Sequence, residues 1–141
     1  MRETTHRVRY FETDQLGVAN CIHFFRWFEI GGAEMFRGFG IPIKLMESKG
    51  CCFVIREAGC SYERPVRYDE EIIIGARIAK LGGSSMRVEY KISRKEGGEV
   101  VATGHALHVA TDGKGNSIPI PGWVKESIAK DGHKVVKARG D

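Results

Sequence analysis

The stretch that decides the fold is Tyr10-Phe11-Glu12-Thr13-Asp14-Gln15-Leu16-Gly17-Val18-Ala19-Asn20-Cys21-Ile22-His23-Phe24-Phe25. It begins as a short strand-like segment, passes through a turn that contains Gly17, and enters a strongly apolar helix. The first N–H groups of a helix have no acceptor within it and carry a partial positive charge. We therefore predict that the Asp14 carboxylate and these N–H groups face one point in space, as a base and an electrostatic acid.

Helical periodicity follows the opening stretch. From Phe24 to Phe39 the apolar residues recur mostly every three or four positions, which predicts a helix with one strongly apolar face. Gly31 and Gly32 in its middle each cost about 1 kcal/mol in helix propensity, so we expect the helix backbone to approach a sheet closely there. Gly38-Phe39-Gly40 followed by Ile41-Pro42 predicts the end of the helix.

The periodicity then changes to that of strands joined by short turns. We predict strands over 52–64, 72–81, 86–94 and 100–111, with glycine pairs at 82–83 and 97–98 in the turns. No helical pattern separates these strands, so we expect an antiparallel sheet with the long helix packed on one face. The predicted fold class is α+β.

Small residues occupy one face of the last predicted strand: Ala102, Gly104, Ala106 and Ala110. The helix carries bulky partners for them: Phe24, Phe28 and Phe36. We expect the large rings to pack against the small sheet residues and to fill the core without voids.

The opening stretch resembles the signature of the hotdog-fold acyl-CoA thioesterases of the 4-hydroxybenzoyl-CoA thioesterase type. The matching positions are Glu12-Thr13-Asp14, Gly17-Val18 and the aromatic Phe24. A weaker resemblance spans residues 7–125 and includes the segments 62–69 and 82–85. The sequence departs from the family at Cys21, where the family carries His or Tyr, so we expect its substrate preference to differ most there.

The resemblance implies a hotdog fold, in which a curved antiparallel sheet of about five strands wraps one long helix, and it implies hydrolysis of an acyl-CoA thioester. It assigns the reactive carboxylate to Asp14, either as the general base for water or as a nucleophile that forms a mixed anhydride. Backbone N–H groups at the helix start, with that of Cys21 at the family's position, would hold the oxyanion. Coenzyme A enters only as part of the substrate, and neither a separate cofactor nor a metal is expected.

Several further residues are candidates for substrate binding: Gly17, Val18, Asn20, Phe24, Ser85 and Arg87. Asn20 either caps the helix or donates its amide to the thioester carbonyl. Arg87, Lys91 and Lys95 share one strand face and could bind the coenzyme A phosphates, although such a face can also simply be solvated. The aromatic rings of Phe24, Phe25 and Phe53 would suit an aryl or a medium-length acyl group.

Other chemistries remain open as alternatives. Cys21 could act as a nucleophile if His23 or His6 served as its base. Glu29 or Glu34 on the helix could replace Asp14, as a helical acid does in other hotdog groups.

Different functions also remain open. The chain could bind acyl-CoA or an acyl carrier protein without hydrolysis, or could hydrolyse carrier-protein thioesters. A hotdog hydratase normally relies on an Asp-His pair in a longer segment, which the sequence lacks. His105 and His108 are predicted on opposite strand faces, so a shared metal is not expected.

Length and composition bound the remaining expectations. The 141 residues fit one domain over 1–131, followed by a basic and flexible tail over 132–141. The net charge of +4 favours solubility or a polyanionic substrate, and no charge block indicates a nucleic-acid partner. Because no apolar run is long enough to span a membrane, we expect a cytoplasmic protein, with its four cysteines reduced.

An exposed strand edge is expected in a sheet of this size. Pairing of that edge in a symmetric dimer would cover it. The resemblance likewise implies a homodimer or a homotetramer with the active site between subunits.

Overall fold

The computed structural model describes residues 1–133 and 135–137, which form one sheet and three helices. The elements in chain order are β1 (Arg2–Arg7), α1 (Cys21–Gly38), α2 (Ile43–Ser48), β2 (Cys52–Tyr62), β3 (Glu71–Leu81), β4 (Ser85–Arg94), β5 (Val100–Thr111), α3 (Gly122–Lys130) and β6 (Val136–Lys137). The sheet order is β1-β3-β4-β5-β2, with all of these neighbours antiparallel. The strand β6 pairs in parallel with the last residues of β3.

The predicted architecture is confirmed: one long helix lies against a five-stranded antiparallel sheet, as the family resemblance implied. The four predicted strands are present within one or two residues of their predicted bounds, and α1 begins three residues before the predicted helix. The strand-like start at Tyr10 is wrong, because residues 10–12 form a 3₁₀ turn closed by the Glu12 N–H donating to the Arg9 carbonyl at 3.0 Å. The helices α2 and α3 and the strands β1 and β6 carried no signal that we recognised.

Close contact between α1 and the sheet explains the glycine pair within the helix. A Cβ atom added at Gly31 would lie 2.6 Å from Cγ2 of Ile74 on β3, too close for a side chain to be accepted without a shift. At Gly32 it would lie 3.3 Å from the hydroxyl of Tyr90 on β4. The two glycines therefore let the backbone of α1 approach β3 and β4, as predicted.

The packing between α1 and β5 is only partly the predicted one. Gly104 leaves room for the ring of Phe28, and Ala102 and Ala110 are fully buried. The expectation of a core without voids is wrong, because a cavity opens beside Ala106. Small residues allow close packing only where a large ring reaches them.

The segment after residue 131 contacts the sheet in its described part. Nε2 of His133 accepts a hydrogen bond from the Ile78 N–H at 2.8 Å, and β6 pairs with Lys80 and Leu81. Residues 134 and 138–141, where we also expected a flexible tail, lie outside the described residues. Within residues 1–133 and 135–137, no helix combines the length and apolar character needed to cross a membrane.

Candidate active site

A small hydrogen-bonded loop presents Asp14. Thr13 bridges to Ala19, and the Asp14 N–H donates to the Val18 carbonyl at 2.9 Å. Gly17 closes the turn at φ = 75°, and its N–H donates to the Asp14 carbonyl at 2.9 Å. Only a residue without a Cβ adopts this backbone conformation readily, which explains the glycine at this position. The loop is thus a miniature hairpin that carries an aspartate at its bend.

The Asp14 side chain is exposed and holds its own turn. Its Oδ1 accepts a hydrogen bond from the Leu16 N–H at 2.8 Å. This contact is the Asx-turn that an aspartate before a glycine commonly forms. It occupies one carboxylate oxygen, and the orientation of the other toward the start of α1 stays a prediction.

Asn20 caps the start of α1, which is one of the two roles that the sequence left open for it. The Asn20 side chain accepts from the Ile22 N–H at 3.1 Å, and the Asn20 carbonyl accepts from the His23 N–H at 3.0 Å. Among the described residues, the Cys21 N–H makes no hydrogen bond, as expected for the first N–H of a helix. One polarised donor at the helix terminus is therefore available to an oxyanion.

Tyr62 ties this end of α1 to β2. Its hydroxyl donates to the Cys21 carbonyl at 2.9 Å. Burial, followed by the neighbouring thiols of Cys60 and Cys21, raises the pKa of Tyr62 to about 12, so the hydroxyl stays protonated. The contact fixes the first helical turn without using the Cys21 N–H.

Glu12 is a buried carboxylate whose contacts the sequence did not reveal. It is 5% exposed and accepts hydrogen bonds from the Arg9 N–H at 2.6 Å and from Nε1 of Trp27 at 2.8 Å. Nε2 of His6 lies 3.0 Å from the same carboxylate. Burial by itself would raise the pKa of Glu12, but these hydrogen bonds and the nearby imidazole outweigh it and lower the pKa.

A cavity of about 500 Å³ lies between α1, α2 and the face of the sheet that contacts α1. Aromatic rings form much of its wall: Phe25, Phe28, Phe36 and Phe53. Small residues leave the space open: Gly32, Ala33, Ala58 and Ala106. A volume of this size with a mostly apolar lining is typical of small-molecule pockets.

The cavity wall carries one uncharged polar pair. The hydroxyl of Tyr90 lies 3.4 Å from Nε2 of His108. Burial lowers the pKa of His108 to about 4, so the imidazole is neutral at physiological pH. Burial and the Glu29 carboxylate raise the pKa of Tyr90, which keeps its hydroxyl protonated.

The predicted substrate-binding residues lie in three regions: the Asp14 loop with the helix cap, the core beside α1, and β4. Gly17, Val18 and Asn20 lie in the Asp14 loop or at the helix cap. Phe24 is buried against Trp27 and Tyr62 and does not line the cavity, whereas Phe25 and Phe53 do. The helix directs the Phe24 ring into the core and the Phe25 ring toward the cavity.

Ser85 and Arg87 lie on β4 and do not line the cavity. They occupy the strand positions that alternate with the buried Met86 and Val88, so they belong to the opposite face of the sheet. Arg87 lies 3.5 Å from the Glu89 carboxylate there. Both residues are therefore separated by the sheet from α1, whose first residue is Cys21.

The structure also shows the surroundings of the acids that could replace Asp14 and of the histidines that could serve as a base for Cys21. Glu29 lines the cavity, whereas Glu34 pairs with Arg37 at 3.3 Å. His6 is bound to Glu12, and His23 packs edge-on against Phe11. Within the described residues neither histidine is hydrogen-bonded to Cys21, and Nδ1 of His23 is buried without a hydrogen-bond partner, so the Cys21 nucleophile stays an alternative.

His105 and His108 differ in their contacts. His105 pairs with Glu57 at 3.1 Å, whereas His108 packs between Phe36 and Phe53. Within the described part of the chain, no three His, Cys, Asp or Glu side chains come together in a way that could hold a metal ion.

Known proteins resemble the chain over most of its length. A family profile described as the thioesterase-like superfamily matches residues 8–128. A Bacillus subtilis (strain 168) protein named "Putative acyl-CoA thioesterase YneP" is 28% identical over 105 residues, which cover 74% of this chain and 75% of that protein.

Solved structures resemble it as well. A thioesterase from Thermus thermophilus, complexed with coenzyme A and Zn, is 28% identical, with a TM-score of 0.79 over 94% of this chain and 95% of that one. A 1,4-dihydroxy-2-naphthoyl-CoA thioesterase from Synechocystis, at 16% identity, shares the fold with a TM-score of 0.84 over 94% of this chain and 98% of that one.

Proposed function

The chain belongs to the thioesterase-like superfamily of hotdog-fold thioester hydrolases, and we propose that it hydrolyses acyl-CoA with an aromatic or a short- to medium-chain acyl group. Asp14 is the proposed reactive carboxylate, and the Cys21 N–H is the proposed oxyanion donor. The coenzyme A complex of the Thermus thermophilus relative supports this carrier. Carrier-protein thioesters remain the alternative substrate.

The proposed reaction uses the loop and the helix start together. A water oxygen bonds to the thioester carbonyl carbon while its proton passes to the Asp14 carboxylate. The carbonyl electron pair moves onto the oxygen, which the Cys21 N–H and the helix terminus stabilise. The carbon–sulfur bond then breaks, and the leaving thiolate recovers the proton from Asp14. In the nucleophilic alternative, the Asp14 carboxylate attacks the carbonyl carbon, and the carbon–sulfur bond breaks to release the coenzyme A thiolate and leave an anhydride. Water then hydrolyses the anhydride to the free acid and the Asp14 carboxylate, and the proton released from the water goes to the thiolate.

One observation carries the proposal: the hydrogen-bonded loop ties Asp14 to the first residues of α1. Thr13 bridges to Ala19, and the Glu12 carbonyl accepts from the Asn20 N–H at 2.9 Å, immediately before Cys21. The candidate carboxylate and the candidate donor therefore belong to one hydrogen-bonded unit. Such preorganisation is the main contribution that a backbone oxyanion site makes to acyl transfer.

The cavity beneath α1 is the proposed binding site for the acyl group. Its lining begins at Phe25, four residues after Cys21, which corresponds to about 6 Å along the helix axis. An acyl group that enters beside Phe25 would extend along α1 toward Phe36 and the small residues on β5. The coenzyme A phosphates would stay at the surface, with Arg87 a remaining candidate for contacting them.

A homodimer or homotetramer formed through β2 is the proposed assembly. β2 is the end strand of the sheet order, so its outer edge is unpaired within the described residues. It is 11 residues long, and Val54 and Ile55 are 47% and 54% exposed. An edge of this length and apolar character invites strand pairing. Light scattering that finds an active monomer would refute this assembly.

Turnover of an acyl-CoA panel tests the proposed function. Release of free thiol is followed for acetyl-, octanoyl-, benzoyl- and hydroxybenzoyl-CoA with the wild type and with Asp14→Asn. We expect wild-type turnover of at least one substrate and a loss of about 100-fold or more in kcat for Asp14→Asn. Calorimetry should show that the variant still binds the substrate. Equal turnover by both proteins would overturn the assigned role of Asp14, and binding without turnover by the wild type would favour the non-catalytic alternative.

A further inference from the structure

We propose that Glu12 is a positioning residue for catalysis, whose buried carboxylate holds the Asp14 loop in register with the first N–H of α1. This inference rests on the proposed function of Asp14. In this role Glu12 does not contact the substrate or the reacting atoms. It acts through the backbone that connects it to Asp14 and to Cys21.

Glu12 joins three separate elements through its side chain. Its Oε1 accepts from the Arg9 N–H at the start of the 3₁₀ turn and lies 3.0 Å from Nε2 of His6 on β1. Its Oε2 accepts from the indole N–H of Trp27, almost two turns into α1. Trp27 is fully buried, so this donor is itself fixed by the core. The carboxylate thus connects β1, the loop and the middle of α1.

The backbone of Glu12 holds the two ends of the loop. Its carbonyl accepts from the N–H of Asn20 at 2.9 Å, and this hydrogen bond fixes the position of Asn20, which directly precedes Cys21. Its chain neighbour Thr13 bridges to Ala19, and Asp14 follows directly. A displacement of Glu12 would therefore change the separation between the Asp14 carboxylate and the Cys21 N–H.

Burial of the Glu12 carboxylate costs free energy of folding, because a charge is removed from water, unless hydrogen-bond donors replace the water. Glu12 is 5% exposed, and both of its oxygens have donors. Charge-assisted hydrogen bonds of this kind are shorter and more directional than neutral ones. Both oxygens being engaged also argues against Glu12 as the base itself. A carboxylate that is satisfied on both oxygens and shielded from solvent is suited to fixing geometry.

The test is a double-mutant cycle between Glu12→Gln and Asp14→Asn. Gln keeps the size of Glu but turns one acceptor into a donor, so either the Arg9 N–H or the Trp27 N–H loses its partner. In the wild-type background we expect kcat to fall about 10- to 100-fold with KM changed less than about twofold, because small misplacements cost this much. In the Asp14→Asn background the same substitution should change kcat less than about twofold.

Controls separate positioning from simple destabilisation. Ile78→Ala removes buried side-chain volume on β3, six residues along the strand from Ile72, which pairs with His6, and should lower stability while kcat of the folded protein stays near wild type. Hydrogen exchange should show faster exchange at the Leu16, Ala19 and Asn20 amides in Glu12→Gln and unchanged exchange in β3, β4 and β5. Should Glu12→Gln not fold, Trp27→Phe removes one donor and keeps an aromatic ring, with an expected fall in kcat of several-fold.

The results that would overturn the role of Glu12 differ from those that would overturn the proposed role of Asp14. Wild-type turnover by Asp14→Asn removes the role of Asp14, and this inference falls with it. An inactive Asp14→Asn variant together with wild-type kcat and loop exchange in Glu12→Gln overturns the inference alone. An equal fall of kcat in both backgrounds, or the same fall in Ile78→Ala, would show that Glu12 serves stability only. Where Asp14→Asn turnover is too slow to measure, the test is whether Glu12→Gln lowers kcat and speeds loop exchange more than Ile78→Ala does.

Discussion

The Asp14 loop and the cavity beneath α1 are built in opposite ways. The loop is held by directional hydrogen bonds between residues close in sequence, such as Asp14 with Val18 and Asp14 with Leu16. The cavity has few polar contacts and is bounded by residues from α1, α2, β2, β4 and β5. Hydrogen bonds therefore define the structure of the loop, whereas small side chains, which leave space unfilled, define the cavity.

This difference separates two tasks of one site. A carboxylate and an oxyanion donor need a fixed geometry, which short hydrogen-bonded ladders supply. An acyl group needs space of suitable length, which Ala33, Ala106 and Gly32 supply by not filling it. We therefore expect substitutions in the loop to change turnover and substitutions in the cavity to change substrate preference.

The largest effect on stability is expected where the interface between α1 and the sheet is already filled. In Gly104→Ala the new Cβ would meet the Phe28 ring and lie 2.7 Å from the Gly59 carbonyl oxygen, so we expect a loss of about 3 kcal/mol. Gly113→Ala is the control, since nothing lies within 4 Å of its added Cβ. Urea unfolding measures both. Equal midpoints would show that the Phe28 ring and the Gly59 carbonyl do not limit side-chain volume at position 104.

Acidification should affect the cavity through His108. The imidazole binds a proton near pH 4 in the folded state and near 6.5 when unfolded. The unfolded chain therefore binds more protons as the pH falls, and stability from this group is lost between pH 7 and pH 4, by up to about 3 kcal/mol. His108→Phe should lack this part of the pH dependence. Parallel pH profiles of unfolding for the two proteins would contradict a neutral buried imidazole.

Filling the cavity should change preference more than turnover. Ala33→Leu places a good helix former on α1 at the cavity wall. We expect kcat/KM to fall about tenfold for octanoyl- or benzoyl-CoA and to change little for acetyl-CoA. Thermal unfolding should occur at or above the wild-type temperature. A uniform loss across all substrates would place the acyl group elsewhere.

The smallest effect is expected at the helix cap. Asn20→Ala should lose about 1 kcal/mol of stability, whereas Asn20→Ser keeps an oxygen acceptor for the Ile22 N–H. If Asn20 serves only as a cap, Asn20→Ser retains kcat within about twofold. A tenfold lower kcat at wild-type stability would instead identify its amide as a donor to the thioester carbonyl.

The sequence predicted those features that depend on local pattern. The bounds of β2 to β5, the cap at Asn20 and the close approach at Gly31 follow from periodicity and from residue preferences. The Glu-Thr-Asp motif located the loop, because its turn contains a glycine that must adopt positive φ.

Contacts between elements that are distant in the sequence could not be predicted from local sequence pattern. Nothing in the sequence pairs Trp27 with Glu12 or His108 with Tyr90, since these partners meet only through the packing of α1 on the sheet. Phe24 and Phe25 are adjacent and chemically identical, yet only Phe25 lines the cavity. The cavity itself depends on the volumes of several elements at once, so the small residues on β5 suggested a filled core instead.

The decisive measurement is the dependence of kcat on the acyl group, compared between the wild type and Asp14→Asn. We expect Asp14→Asn to lower kcat by about 100-fold or more on every substrate that the wild type hydrolyses, with the order of substrate preference unchanged. A variant that keeps wild-type kcat, or that loses activity on some acyl groups while retaining it on others, would contradict the division of the site into a reactive loop and a selective cavity.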